Sequence, residues 1–177
     1  MTGSANEPQD IQDELVSFAP RVYGLLFRMV GRSDVAEDLT QETLMRAFRS
    51  LETYRPEGKF QAWIFRIAVN LARDWVRRRP REAASLTDEA DDPAYGRPTT
   101  TDPPAEANLV RLDRSKRVAA AMGRLADADR EVLLLRYYGD LPFKDIAQAT
   151  GEPLGTVLAR AHRALKKMGD MIPEDEL

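Results

Sequence analysis

Between Pro80 and Ala107 the chain loses all apolar periodicity and fills instead with Asp91-Asp92-Pro93, Gly96-Arg97-Pro98 and Thr99-Thr100-Thr101-Asp102-Pro103-Pro104. Prolines, acids and small polar residues bury too little surface to offset the entropy of ordering, so the stretch reads as a linker. It divides the 177 residues into two short pieces, and aromatic residues, at 7%, are too sparse for a large sandwich core. Neither piece shows sustained period-2 alternation, and no internal repeat is present. The expected fold is all-α, with two small helical domains at residues 10–80 and 108–170 and a flexible linker at 81–107.

Upstream of the break, the spacing of Leu15, Phe18, Val22, Leu25, Leu26 and Met29 predicts a helix from about Ile11 to Val30. Pro20 interrupts it and predicts a kink or a restart. A second helix opens at Ser33 or Asp34, with Leu44, Ala47, Phe48 and Leu51 on one face and acids in its first turn, where the helix dipole favours them. A third runs from about Phe60 to Arg79, carrying Trp63, Ile64, Ile67, Leu71 and Val76, and Pro80 marks its limit. Downstream, helices are expected at Leu109 to Gly123, Asp127 to Tyr138, Phe143 to Thr150 and Leu154 to about Met168. The last two are joined by Gly151-Glu152-Pro153, the tight turn of a helix-turn-helix.

Composition removes several chemistries. The chain has no cysteine, which excludes disulfides, thiolate metal sites and cysteine nucleophiles. The first residues lack the pattern of a signal peptide and no apolar run reaches membrane-spanning length, so a soluble, cytoplasmic protein without membrane insertion is expected. No nucleophile, base and orienting partner fall at recognisable spacing, and no Walker-type loop occurs, so neither an enzyme nor a cofactor is expected. Glu37, Asp38 and Glu42 are a weak metal candidate, because His162, the single histidine, lies in the other domain.

The net charge of −3 conceals a strong segregation. Residues 1–58 carry −4, residues 59–81 carry +6, residues 82–110 carry −6 and residues 111–177 carry +1. One surface therefore suits an anionic partner and another a basic one, unless the clusters are merely solvated helix faces.

Three segments carry the chemistry. In Leu141 to Val157, Ile146 and Ala147 would face the core, Gly151 makes the turn and Val157 anchors the second helix, which then presents Arg160, His162, Arg163, Lys166 and Lys167. Such a second helix enters the major groove, although a helical hairpin with a basic exposed side has the same pattern. In Lys59 to Arg79, basic residues alternate with aromatics, as melted DNA requires, since rings stack on unpaired bases while cations hold the backbone. Core packing would equally account for Trp63, Phe65 and Ile67. In Asp34 to Leu44, an acidic and polar face suits a protein partner.

Taken together and in their order along the chain, the three segments resemble the extracytoplasmic-function (ECF) group of bacterial sigma-70 family sigma factors. Asp34 to Phe48, DVAEDLTQETLMRAF, is similar to the segment that docks on the clamp helices of the largest polymerase subunit. Phe60 to Arg79 is similar to the segment of region 2 that recognises and helps melt the minus-ten element, and Asp127 to Lys167 to the region 4 domain that reads the minus-thirty-five element. The resemblance implies core RNA polymerase, through the clamp helices and the flap, promoter DNA and an anti-sigma factor as partners. It implies polymerase contacts at Asp34, Glu37, Asp38, Gln41 and Glu42, with Leu39 and Leu44 packing. Minus-ten contacts are implied at Lys59, Phe60, Trp63, Arg66, Asn70, Arg73, Arg77 and Arg78, beside a base-capturing loop at Tyr54 to Phe60. Minus-thirty-five contacts are implied at Thr156, Leu158, Arg160, His162, Arg163 and Lys167. The chain departs from the family pattern at Leu158 and Ala159, where a basic residue followed by serine is common. Either Leu158 meets a thymine methyl, or the domain binds weakly and relies on the other. The remaining readings are a dimeric helix-turn-helix repressor, which leaves Asp34 to Arg79 unexplained, and a helical adaptor that binds no DNA.

Overall fold

The computed structural model describes residues 8–51, 54, 59–78 and 105–172, with side chains from residue 12 in the first stretch and from residue 114 in the last. Secondary structure among them is helical: α1 (Pro8–Ser17), α2 (Ala19–Val30), α3 (Ser33–Arg49), α4 (Phe60–Arg78), α5 (Ala105–Gly123), α6 (Asp127–Leu133), α7 (Phe143–Thr150) and α8 (Leu154–Met171). A π-helical turn, Leu134–Tyr138, extends α6. None of these helices is long and apolar enough to cross a membrane. The expected linker lies outside the described residues up to position 104, and its last three positions belong to α5.

Pro20 restarts the first helix rather than bending it. It stands in the first turn of α2, where its missing N–H has no intrahelical role, and Phe18 occupies the junction. Gly31, at φ 70°, ends α2 in the left-handed conformation and returns its N–H to the Phe27 carbonyl at 2.8 Å. α2 and α4 bury Val22, Leu25, Leu26, Ile64, Phe65, Ala68 and Val69 almost completely. The face expected on α3 is turned from its predicted position. Ala36, Thr40, Thr43 and Ala47 are the buried row, while Phe48 is 56% exposed. The small residues let α3 approach closely, and the two threonines return their hydroxyls to the Ala36 and Leu39 carbonyls at 2.6 and 2.7 Å, so they carry no unpaired donor inward.

The C-terminal half packs α6 and α7 against α8, with Val132, Leu135, Ile146 and Val157 fully buried. These side chains do not form a separate core. They join Val22, Leu26, Ile64, Phe65 and Val69 in one apolar cluster that runs through both halves. The π-helical turn brings Tyr138 against Gly24 of α2, at the space a side chain there would need. The Arg28 guanidinium covers the Tyr138 ring at 4.3 Å.

Candidate nucleic-acid interface

On α3, Asp34, Glu37, Asp38 and Gln41 all stand exposed, at helical spacing. Asp34 pairs with Arg32, whose hydrogen bond holds its carboxyl below the ordinary carboxylate value. Glu42 is half-buried and accepts from Arg46 at 2.6 Å. Continuing the stripe from Asp38 and Gln41 by two further turns reaches Met45 and then Phe48, which are 46% and 56% exposed. With Leu15, Val16, Leu44 and Arg49 these two rim an apolar groove between α1 and α3. The sequence reading placed Phe48 on the packing face. The i, i+4, i+7 continuation from Gln41 is the signal that would have placed it outside.

Lys59 precedes α4, and Trp63, Arg66, Asn70, Arg73 and Arg77 follow it along one side of that helix at spacings of three and four. Arg66, Asn70, Arg77 and Arg78 are exposed, and Arg77 bonds Asp74 at 2.9 Å. Phe60 lies in the core at 8% exposure, with its ring edge-on to Phe18 at 5.7 Å. Trp63 is half-buried against Tyr54 at 4.5 Å and Phe60 at 5.6 Å, both rings tilted to it, so the buried Phe60 supports the half-exposed Tyr54 and Trp63. Residues 55–58 of the expected base-capturing loop lie outside the described residues.

The helix-turn-helix forms where the sequence placed it. Gly151 adopts φ 71° and closes α7 by donating its N–H to Ala147 O, and Val157, Ala161 and Ala164 turn inward from α8. The opposite side of α8 exposes Gly155, Thr156, Leu158, Ala159, His162 and Lys166. Three of the expected DNA cations are engaged within the protein. Arg160 meets Glu152 at 2.5 Å, Arg163 grips Asp129 at 2.9 and 3.2 Å, and Lys167 lies 3.7 Å from the same carboxylate.

Asp129, Arg130 and Glu131 are consecutive, and all three are buried. Successive helical positions point about 100° apart, so each serves a different neighbour. Asp129 faces α8. Arg130 donates to the Met29 carbonyl at 3.4 Å and to Asp127 at 2.7 Å. Glu131 accepts two bonds from Arg73, at 2.6 and 2.8 Å, while the third arm of Arg73 reaches the Thr150 carbonyl at 2.9 Å. Burial pushes the Glu131 carboxyl above its ordinary value even though Arg73 opposes the shift. Lys59 donates to Gln148 at 3.2 Å and lies 3.6 Å from Asp145, both on α7, and Gln61 donates to the Gly139 carbonyl. Apolar periodicity could not reveal these charged positions, because their partners lie on other elements of the fold: Arg163 and Lys167 on α8, Met29 on α2 and Arg73 on α4.

Comparison with known proteins agrees with this arrangement. Residues 15–82 match the profile of Sigma-70 region 2, and residues 115–168 that of Sigma-70, region 4. The chain is 38% identical over 161 residues to the ECF RNA polymerase sigma factor SigE of Mycolicibacterium smegmatis, covering 90% of this chain and 61% of that protein. It is 34% identical over 167 residues to the RNA polymerase sigma factor CarQ of Myxococcus xanthus, covering 94% and 91%. With the ECF RNA polymerase sigma factor SigW of Bacillus subtilis it shares 30% over 166 residues, covering 90% and 89%. The fold matches that of the sigma factor RpoE in complex with the anti-sigma factor NepR from Bartonella quintana, with a TM-score of 0.72 and 24% identity over 94% of this chain and 99% of that one. CnrH, in complex with the cytosolic domain of CnrY, gives a TM-score of 0.62 and 25% identity over 94% and 90%. With both halves matched in order and relatives aligned over most of its length, the chain belongs to the ECF group of the sigma-70 family of RNA polymerase sigma factors.

Proposed function

We propose that this chain directs core RNA polymerase to a specific set of promoters, acting beside the polymerase in the cytoplasm and contributing no catalysis of its own. The observation that carries the reading is the placement of three chemically distinct surfaces in the family's order. An acidic stripe continues into an apolar groove on α3, a basic and aromatic side follows on α4, and a helix-turn-helix ends the chain. Residues 10–80 act as the polymerase and minus-ten domain, 81–107 as the tether, and 108–170 as the minus-thirty-five domain. Glu37, Asp38 and Gln41 give the polymerase contact its polarity, and Met45 and Phe48 give it buried apolar area, since interface energy concentrates in large side chains that leave water. Trp63 offers a ring to an unpaired base while Arg66, Asn70 and Arg78 reach the backbone. Thr156, Leu158 and His162 face the major groove, with Lys166 added to the sequence candidates as a phosphate contact.

Anti-sigma control is part of this reading, supported by the two solved relatives, whose structures hold them in complexes with NepR and with CnrY. The test is transcription from a library of genomic fragments by core polymerase with and without the purified chain. Discrete start sites that appear only with the chain are expected. Core that neither binds the chain nor gains specificity overturns the proposal.

A further inference from the structure

The groove between α1 and α3 places a thioether in the open. Its lining joins Met45 to Leu15, Val16, Leu44, Phe48 and Arg49, and Met45 keeps 46% of its surface exposed. The other methionines among the described residues are better covered. Met29 lies in the core at 7% exposure, and Met122, Met168 and Met171 are half-buried. Val16 and Phe48 share the rim with Met45 and are themselves exposed, so solvent reaches the sulfur across an apolar surface. The chain has no cysteine, so no thiol of its own competes with this soft, polarisable thioether for an oxidant.

We propose that Met45 is an oxidation site through which peroxide sets the affinity of the chain for core polymerase. A lone pair of the thioether sulfur attacks one peroxide oxygen, and the S–O bond forms as the O–O bond breaks. The departing hydroxide takes the proton left on the new S–O group and leaves as water. Sulfur is thereby oxidised by two electrons to the sulfoxide and the peroxide is reduced. The sulfoxide oxygen accepts hydrogen bonds, but the side chains of Leu15, Val16, Leu44 and Phe48 have no donor to meet it. Arg49, the one donor of the lining, is exposed and loses its own hydration if it follows that oxygen into an interface. Burying the groove against a partner is therefore favourable with the thioether and costly with the sulfoxide. The return step takes a methionine sulfoxide reductase, whose dithiol becomes a disulfide as the oxygen leaves in water. The effect on polymerase rests on the sigma-factor reading and adds a modification site to it.

In the test, the purified chain alone is treated with hydrogen peroxide, which catalase removes before untreated core polymerase is added. Peptide mass mapping at partial oxidation should find Met45 converted ahead of Met122, Met168 and Met171, with Met29 last. Binding of the oxidised wild type to core should fall about fivefold or more, as when a large side chain is lost from an interface. It should return after treatment with the reductases for both sulfoxide epimers. Met45→Leu keeps a similar apolar volume without the sulfur, so its affinity, whatever the starting value, should be the same before and after peroxide. Met45→Gln sets a polar group in the groove without any oxidant and should bind core as weakly as the oxidised wild type.

Circular dichroism shows whether the oxidised chain remains helical, and should peroxide unfold it, Met45→Gln decides the matter. Conversion of Met45 no faster than that of the half-buried methionines overturns the proposal. So does unchanged affinity in the oxidised wild type, or a Met45→Leu chain that loses as much on treatment as the wild type does. Untreated wild type that fails to bind core overturns the sigma-factor reading instead, and the polymerase effect with it, so the two failures are told apart before any peroxide is added.

Discussion

Arg163 reaches from α8 across to Asp129 on α6 and sets two donors on its two carboxylate oxygens, at 2.9 and 3.2 Å. The acid is buried and the arginine half-exposed, so a residue on the outer side of the recognition helix also fixes how that helix lies on its support. Asp129→Asn keeps the shape and removes the charge. It should lower the stability of the folded chain by about 1–3 kcal/mol, the range for a buried charge-assisted bond. Urea unfolding followed by helical ellipticity measures the loss. Substituting Lys166, which has no such role in the fold, should leave the midpoint unchanged.

Asp129 and Glu131 sit two residues apart and respond to pH in opposite senses. Hydrogen bonding from Arg163 outweighs burial at Asp129 and holds its carboxyl below the ordinary 3.8. Its contribution to stability is therefore complete above that value and is lost as pH falls through the lower folded value. Burial outweighs Arg73 at Glu131 and raises its carboxyl above the ordinary 4.5. That contribution is complete below 4.5 and is lost as pH rises through the folded value. In urea titrations at several pH values, Asp129→Asn should flatten the acid limb and Glu131→Gln should remove the decline above 4.5. A wild-type curve that both variants reproduce would contradict both assignments.

Phe48 and Met45 extend the acidic stripe of α3 into an apolar groove. Phe48→Ala should weaken binding to core polymerase by about tenfold or more, the cost of truncating a large side chain at the centre of an interface. The helical spectrum should not change, since Phe48 lies outside the core. Leu39→Ala, at a half-buried packing position, should instead lower stability. Equal losses of polymerase binding and of stability at Phe48 would place that ring in the fold rather than the interface.

Leu158 lies on the outer side of α8 with 44% exposure, between Thr156 and His162. If α8 enters the major groove as proposed, Leu158 should contact a thymine methyl. Replacing each thymine of the upstream element by uracil, which removes only that methyl, should reduce binding at one position by about threefold to tenfold. The Leu158→Ala variant should lose that sensitivity. Uniform indifference to uracil would assign the upstream element to its other contacts.

The helices, their order and the division into two halves were legible in the sequence because each depends on local chemistry. Apolar spacing sets a helical face, Pro20 requires a fresh start, and Gly151 supplies the left-handed turn between α7 and α8. The acidic side of α3 and the basic side of α4 were legible for the same reason, since residues at spacings of three and four share a side. Phe48 was misplaced because an apolar residue on a helix looks the same whether its face is covered or left open. Small residues at Ala36, Thr40, Thr43 and Ala47 in fact line the buried side.

Tertiary structure alone decided how the halves meet. The linker composition argued for two bodies, and nothing local indicated that Phe65, Val132 and Ile146 would share one core. Likewise, the run Asp129-Arg130-Glu131 resembles a solvated turn until the chain is folded. Packing then buries all three charges and gives them partners as far away in sequence as Met29, Arg73 and Arg163. Sequence determined which cations the chain possesses, while long-range burial determined which are already occupied, because a buried charge must find its counter-charge wherever the fold brings one.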